Sequence, residues 1–168
     1  MVTGSFASSY HGISRASQDI DIVISPTADQ VRAFIKLLLE AEYYADERAA
    51  LEAHRLQRQF NVVDQKTGWK IDFIIRKARP FSLREFDRRE AADFFGVKAT
   101  VATAEDVLLS KLEWAKLGES HRQIEDAAAI LKMRADELDM AYVREWVEKL
   151  QISFQWQEAC RIAGTPPD

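Results

Sequence analysis

The sequence has a single cysteine, Cys160. One thiol excludes an internal disulfide and any cysteine-rich zinc site. No apolar run approaches the ~20 residues needed to cross a bilayer. The N-terminus lacks a basic stretch followed by an apolar core, so no secretory signal is expected. No internal repeat or low-complexity segment interrupts the chain. Basic charge is not in excess: 23 Lys and Arg stand against 27 Asp and Glu, a formal net charge of −4. That balance argues against a surface that grips nucleic acid all over, while leaving room for a local basic patch. A reducing cytoplasm and no membrane partner are the resulting expectations. The remainder is ordinary for a folded protein: 168 residues, 47% apolar and 30% charged, enough for one domain or one domain with a small extension.

What is present is ordered by its period. Residues 1–3 suit the tail of a strand, and Ser5 to Tyr10 a short helix ended by Gly12. Residues 12–18 (GISRASQ) are polar and loop-like. Ile20 to Ile24 forms an apolar strand that Ser25-Pro26 stops. Thr27 has the character of a helix cap, and Val31, Phe34, Ile35, Leu38 and Leu39 follow at helical spacing. Residues 45–56, rich in Ala, Leu and Glu, read as a second helix. The runs 60–64 and 69–75, joined by QKTG, predict an antiparallel hairpin. SLREFDRRE is a further short helix, and residues 91–102 hold one or two strands. From the TAED start at Thr103 the pattern is helical to the end. The fold class expected is α+β, with a core over residues 1–102 and a helical region over 103–168.

One stretch carries chemistry: GSFASSYHGISRASQDIDIVI, residues 4–24. Strand side chains alternate, so Asp19 and Asp21 point one way and Ile20, Ile22 and Ile24 the other. Carboxylates held side by side repel unless something neutralises them, and a divalent metal ion would. Gly4 allows a phosphate to approach the backbone, and Ser5 offers a hydroxyl and an amide at a helix start. Asp72 is a third acid set into a strand. Three such carboxylates on neighbouring strands can hold two Mg²⁺ ions about 4 Å apart, the arrangement used for in-line phosphoryl transfer. The reaction that follows is attack of a hydroxyl on the α-phosphate of a nucleoside triphosphate, with pyrophosphate leaving.

Gly-Ser, thirteen residues, then DID, with a later acid in KIDFII, resembles the DNA polymerase β-like nucleotidyltransferase superfamily. The block is similar to bacterial and archaeal nucleotidyltransferase-like proteins. EDVLLSKLEWAK followed by RQIEDAAAIL is similar to the C-terminal motifs of abortive-infection-type nucleotidyltransferase toxins. The resemblance covers residues 1–132. It implies a mixed sheet with flanking helices, then a helical segment. It assigns Gly4 and Ser5 to phosphate, Asp19, Asp21 and Asp72 to Mg²⁺ (with Mn²⁺ as a substitute), and Asp72 also to preparing the acceptor hydroxyl. It places Lys111 near the triphosphate and Asp126 on the active-site wall. Arg15, in the loop before the acids, would reach the triphosphate through its planar fork. The implied partners are a nucleoside triphosphate, an acceptor hydroxyl on RNA, protein or a small molecule, and an antitoxin. Family members carry a helix and most of a strand before Gly-Ser. Only residues 1–3 precede it here, so the first strand is expected to be a stub.

Simpler readings apply elsewhere. D-x-D alone suits a half-exposed strand, and Lys70 beside Asp72 suits an outward face. Lys111 and Asp126 would be solvated on an ordinary amphipathic helix. His11, His54 and His121 are expected at the surface. Trp69, Trp114, Trp146 and Trp156 are expected in the core. Arg76, Lys77, Arg79, Arg84, Arg88 and Arg89 could meet phosphates, but Glu85, Asp87 and Glu90 interrupt them, which favours a solvated helix face. Two further functions compete with the nucleotidyltransferase. One is a nucleotide- or partner-binding module of the same fold without turnover. The other is a glycosyltransferase, which also uses D-x-D but needs neither Gly-Ser nor the third strand acid.

Overall fold

The computed structural model describes residues 1–13, 19–94 and 96–167. The protein is α+β, and its described residues form a seven-stranded mixed sheet and eight helices. In chain order these are β1 (Val2–Thr3), α1 (Gly4–Tyr10), β2 (Asp19–Ile24), α2 (Ala28–Glu40), β3 (Tyr43–Ala45), α3 (Glu47–Leu56), β4 (Gln59–Asp64), β5 (Lys70–Ile75), α4 (Pro80–Asp87), β6 (Glu90–Phe94) and β7 (Val97–Val101). Four helices follow: α5 (Ala104–Gly118), α6 (His121–Arg134), α7 (Met140–Lys149) and α8 (Ser153–Ala163). No described helix is long and apolar enough to cross a membrane.

The chain divides into two compact units, Met1–Phe6 with Ala16–Val101 and Ala7–Arg15 with Ala102–Asp168. The first holds the sheet, in the order β3-β4-β5-β2-β1-β7-β6. β2 lies parallel to β5, and β1 parallel to β7; the other pairs are antiparallel. β1 is only two residues long, yet Val2 pairs with Ile22 on one side and Val101 on the other. One apolar face of the sheet is closed by α2 and α3. Val31 and Ile35 of α2 and Ala50 and Ala53 of α3 join Phe60, Val62, Phe73 and Ile75 in one cluster. Phe73 stacks on Phe60 and takes Phe34 edge-on.

Local chemistry places these elements. Thr27 and Gln30 form a reciprocal capping box at the start of α2. Asp46 caps α3 through the amide of Ala49. Asp64 accepts from the amides of Lys66 and Thr67 and from the Thr67 hydroxyl, which fixes the β4–β5 turn. Pro80 opens α4 at a position that has no amide to lose. Helix 45–56 needs correction, because it starts at Glu47 and Tyr43–Ala45 is an edge strand paired with β4. Three residues are too few to show a period of two. Leu39 is also exposed rather than part of the apolar stripe of α2.

The second unit is helical. α5 packs on α6, α7 and α8, and α6 on α8. Leu108, Leu109, Leu112, Ile130, Leu131 and Ile152 are fully buried. Of the tryptophans, Trp146 and Trp156 are core residues, whereas Trp69 and Trp114 are exposed at 39% and 55%. Trp114 lies off the stripe that buries Leu108, Leu112 and Ala115, on the side that also exposes Leu117. His11 is buried, contrary to expectation: its Nε2 lies 2.8 Å from the Ala102 carbonyl oxygen, and its Nδ1 3.3 Å from the Arg134 guanidinium. His54 is half-buried against the Pro26 carbonyl, and His121 is exposed beside Glu125.

Candidate active site

The parallel ladder between β2 and β5 sets the site. Its register places Asp19 opposite Lys70 and Asp21 opposite Asp72. Alternation then puts all four side chains on the face opposite the Phe73 cluster. They form two rungs of a square: Asp19–Lys70 and, two residues on, Asp21–Asp72.

The corners differ in exposure. The Asp72 side chain retains 8% of its surface, against 53% for Asp19 and 36% for Lys70. The Lys70 ammonium lies 3.1 Å from Asp72 Oδ2 and 3.8 Å from Asp19 Oδ1. The hydrogen bond to Asp72, with the charges of Asp72, Asp19 and Asp21, holds the Lys70 ammonium above its ordinary pKa. The second oxygen of Asp72, Oδ1, is buried and has no hydrogen-bond partner. A buried carboxylate oxygen without a partner is costly and uncommon, so it calls for a specific explanation.

Gly4 closes the site from β1. It follows Thr3, which is paired with Asp21, and turns the chain directly from strand into α1. Its φ of +63° is one that only glycine adopts freely. A β-carbon there would lie 2.1 Å from Asp21 Oδ2. The backbone of Gly4 is therefore in direct contact with the Asp21 carboxylate. Ser5 is the next residue of α1.

Asp72 and Asp21 thus stand opposite each other in the register, and Lys70 links Asp72 to Asp19. Arg15 falls among residues 14–18, outside the described residues. Lys111 and Asp126 belong to the helical unit and are paired with each other: Lys111 Nζ donates to Asp126 Oδ2 at 2.8 Å and lies 3.4 Å from Gln123 Oε1. Both are largely buried rather than solvated. In the basic stretch, Arg76 and Arg89 lie over the Phe86 ring and Arg79 over Phe81.

Lys70 is the residue whose part in the site sequence reasoning missed. The signal was Lys-x-Asp on one strand face, but it acquires meaning only with the register that sets it against Asp-x-Asp. A pocket of about 280 Å³ lies against the apolar face, lined by Ile24, Pro26, Gln30, Val31, Phe34, Phe60 and Phe73. It has no ionisable lining group and takes no part in this chemistry.

The carboxylate oxygens suit a hard cation. Among the described residues no group of three or more His, Cys, Asp or Glu side chains forms a ready-made metal cage. Magnesium does not need one, since it keeps several waters and binds through one or two carboxylates plus substrate phosphates. Asp72, which pairs with Asp21 in the ladder and has Oδ1 buried and unpartnered, fits that requirement. Compared with known proteins, the chain matches no family model and no curated protein.

Proposed function

We propose that the protein is a metal-dependent nucleotidyltransferase with a polymerase β-type core, moving a nucleoside monophosphate from a nucleoside triphosphate to an acceptor hydroxyl. The observation that carries this reading is the Asp21–Asp72 rung, with one Asp72 oxygen buried and unpartnered. Asp19, Asp21 and Asp72 would hold Mg²⁺. When bound, the ion supplies positive charge that stabilises charge building on the transferring phosphoryl group. Gly4 lets the Asp21 carboxylate lie directly against the backbone at the start of α1, in the space a β-carbon would fill. Asp72, held in a low-dielectric position by burial, takes the hydrogen bond of the acceptor hydroxyl. The acceptor oxygen would bond to the α-phosphorus, the bond to the bridging oxygen would break, pyrophosphate would leave with that electron pair, and the hydroxyl proton would pass to the Asp72 carboxylate and from it to water.

A binding module without turnover is the second reading. The Lys70 ammonium on Asp72 favours it, because an internal cation already neutralises part of the acidic cluster. One experiment separates the two. The protein is incubated with each α-³²P-labelled nucleoside triphosphate, Mg²⁺ and an extract of RNA and protein. Transfer of label that disappears in an Asp19→Ala/Asp21→Ala double variant supports the enzyme, and the labelled species names the acceptor class. Nucleotide-dependent thermal stabilisation with no transfer supports the binding module. Undiminished transfer in the double variant contradicts the assignment.

A further inference from the structure

Lys70 stands where the acidic cluster needs a cation. It is on the same face of β5 as Asp72, two residues away, and directly opposite Asp19 in the register. Its ammonium lies 3.1 Å from Asp72 Oδ2 and comes within 3.8 Å of Asp19. The two partners differ in freedom. Asp72 is enclosed on a central strand and cannot turn to water. Lys70 is 36% exposed on a flexible four-carbon stem and can. A buried carboxylate without a counter-charge is costly, with or without a metal. Lys70 satisfies one of its oxygens and leaves Oδ1 unpartnered.

We propose that Lys70 is an exchangeable internal cation: it neutralises Asp72 when no metal is bound, moves into solvent when a divalent cation enters, and so sets the metal affinity of the site. This rests on the metal-binding reading of Asp19, Asp21 and Asp72. The lysine stabilises the metal-free protein and competes with the ion. Metal binding becomes an exchange of one cation for another, which keeps a positive charge beside Asp72 in the metal-free protein.

The test is a titration of the full chain with Mn²⁺ alone, free Mn²⁺ being read by electron paramagnetic resonance. Lys70→Met is expected to bind Mn²⁺ about tenfold more tightly than wild type, the loss of one charged hydrogen bond that the metal no longer has to break. Without metal the same variant should melt at a lower temperature, and Mn²⁺ should raise its Tm by more than it raises that of wild type. Lys70→Arg keeps the charge and grips a carboxylate with two donors, so it should bind Mn²⁺ more weakly than wild type. This second variant carries the test if Lys70→Met does not fold without metal. In wild type, Mg²⁺ should move the Lys70 ¹⁵Nζ resonance to that of a freely solvated ammonium, which a merely structural lysine would not show. Mn²⁺ binding by wild type that is unchanged or weaker in Lys70→Met, or undiminished in Lys70→Arg, overturns the role of Lys70 alone. Absence of Mn²⁺ binding in every form overturns the metal site, and this inference with it.

Discussion

Gly4 carries no side chain, and the structure leaves no space for one. A methyl group would overlap Asp21 Oδ2, and the φ of +63° is strained for any other residue. Gly4→Ala should cost at least ~1 kcal/mol from the backbone conformation alone, before the overlap is counted. The overlap should also push Asp21 off its rung. Urea denaturation is expected to show the lost stability, and Mn²⁺ titration a weaker site. A variant as stable as wild type with unchanged Mn²⁺ affinity would mean the contact is unimportant. At this scale the sequence is informative where alternation decides the matter. It shows that Asp19 and Asp21 share a face and that Asp72 sits in a strand. It does not show that Lys70 contacts Asp72 and Asp19, or that His11 is buried. Both depend on partners distant in sequence, Asp19 across a parallel ladder and Ala102 ninety-one residues away.

Among the elements, those with strong local signals are legible. Thr27, Thr103 and the QKTG turn place α2, α5 and the β4–β5 hairpin, because caps and turns act over three or four residues. β3 is not legible, because a three-residue edge strand takes its identity from β4 rather than from its own pattern. The helical unit supplies a prediction of its own. Lys111 on α5 and Asp126 on α6 form an ion pair whose side chains are 5% and 12% exposed. Removing Lys111 takes an ion-pair partner from a largely buried carboxylate. Lys111→Met should therefore destabilise the protein by about 3 kcal/mol, and Lys111→Met/Asp126→Leu should recover most of that. Urea unfolding of both variants checks this. A single variant within 1 kcal/mol of wild type would show that the pair is effectively solvated.

On the scale of the whole molecule, the sequence indicates the class but not the strand order. Strands with helices first and helices alone later suggest α+β. Nothing local reveals that β5 lies beside β2, or that two residues of β1 join the two halves of the sheet. The β2–β5 and β1–β7 pairings bridge chain separations of fifty residues and more, and the β2–β5 register converts D-x-D and K-x-D into a four-cornered site. The central claim is that this site holds a divalent ion against Asp72. The most direct test is anomalous diffraction from crystals grown with Mn²⁺ and a non-hydrolysable nucleoside triphosphate. The account predicts a Mn²⁺ peak ligated by Asp19, Asp21 and Asp72 with Lys70 turned away. A well-ordered site with no peak there and Lys70 still bonded to Asp72 would contradict it.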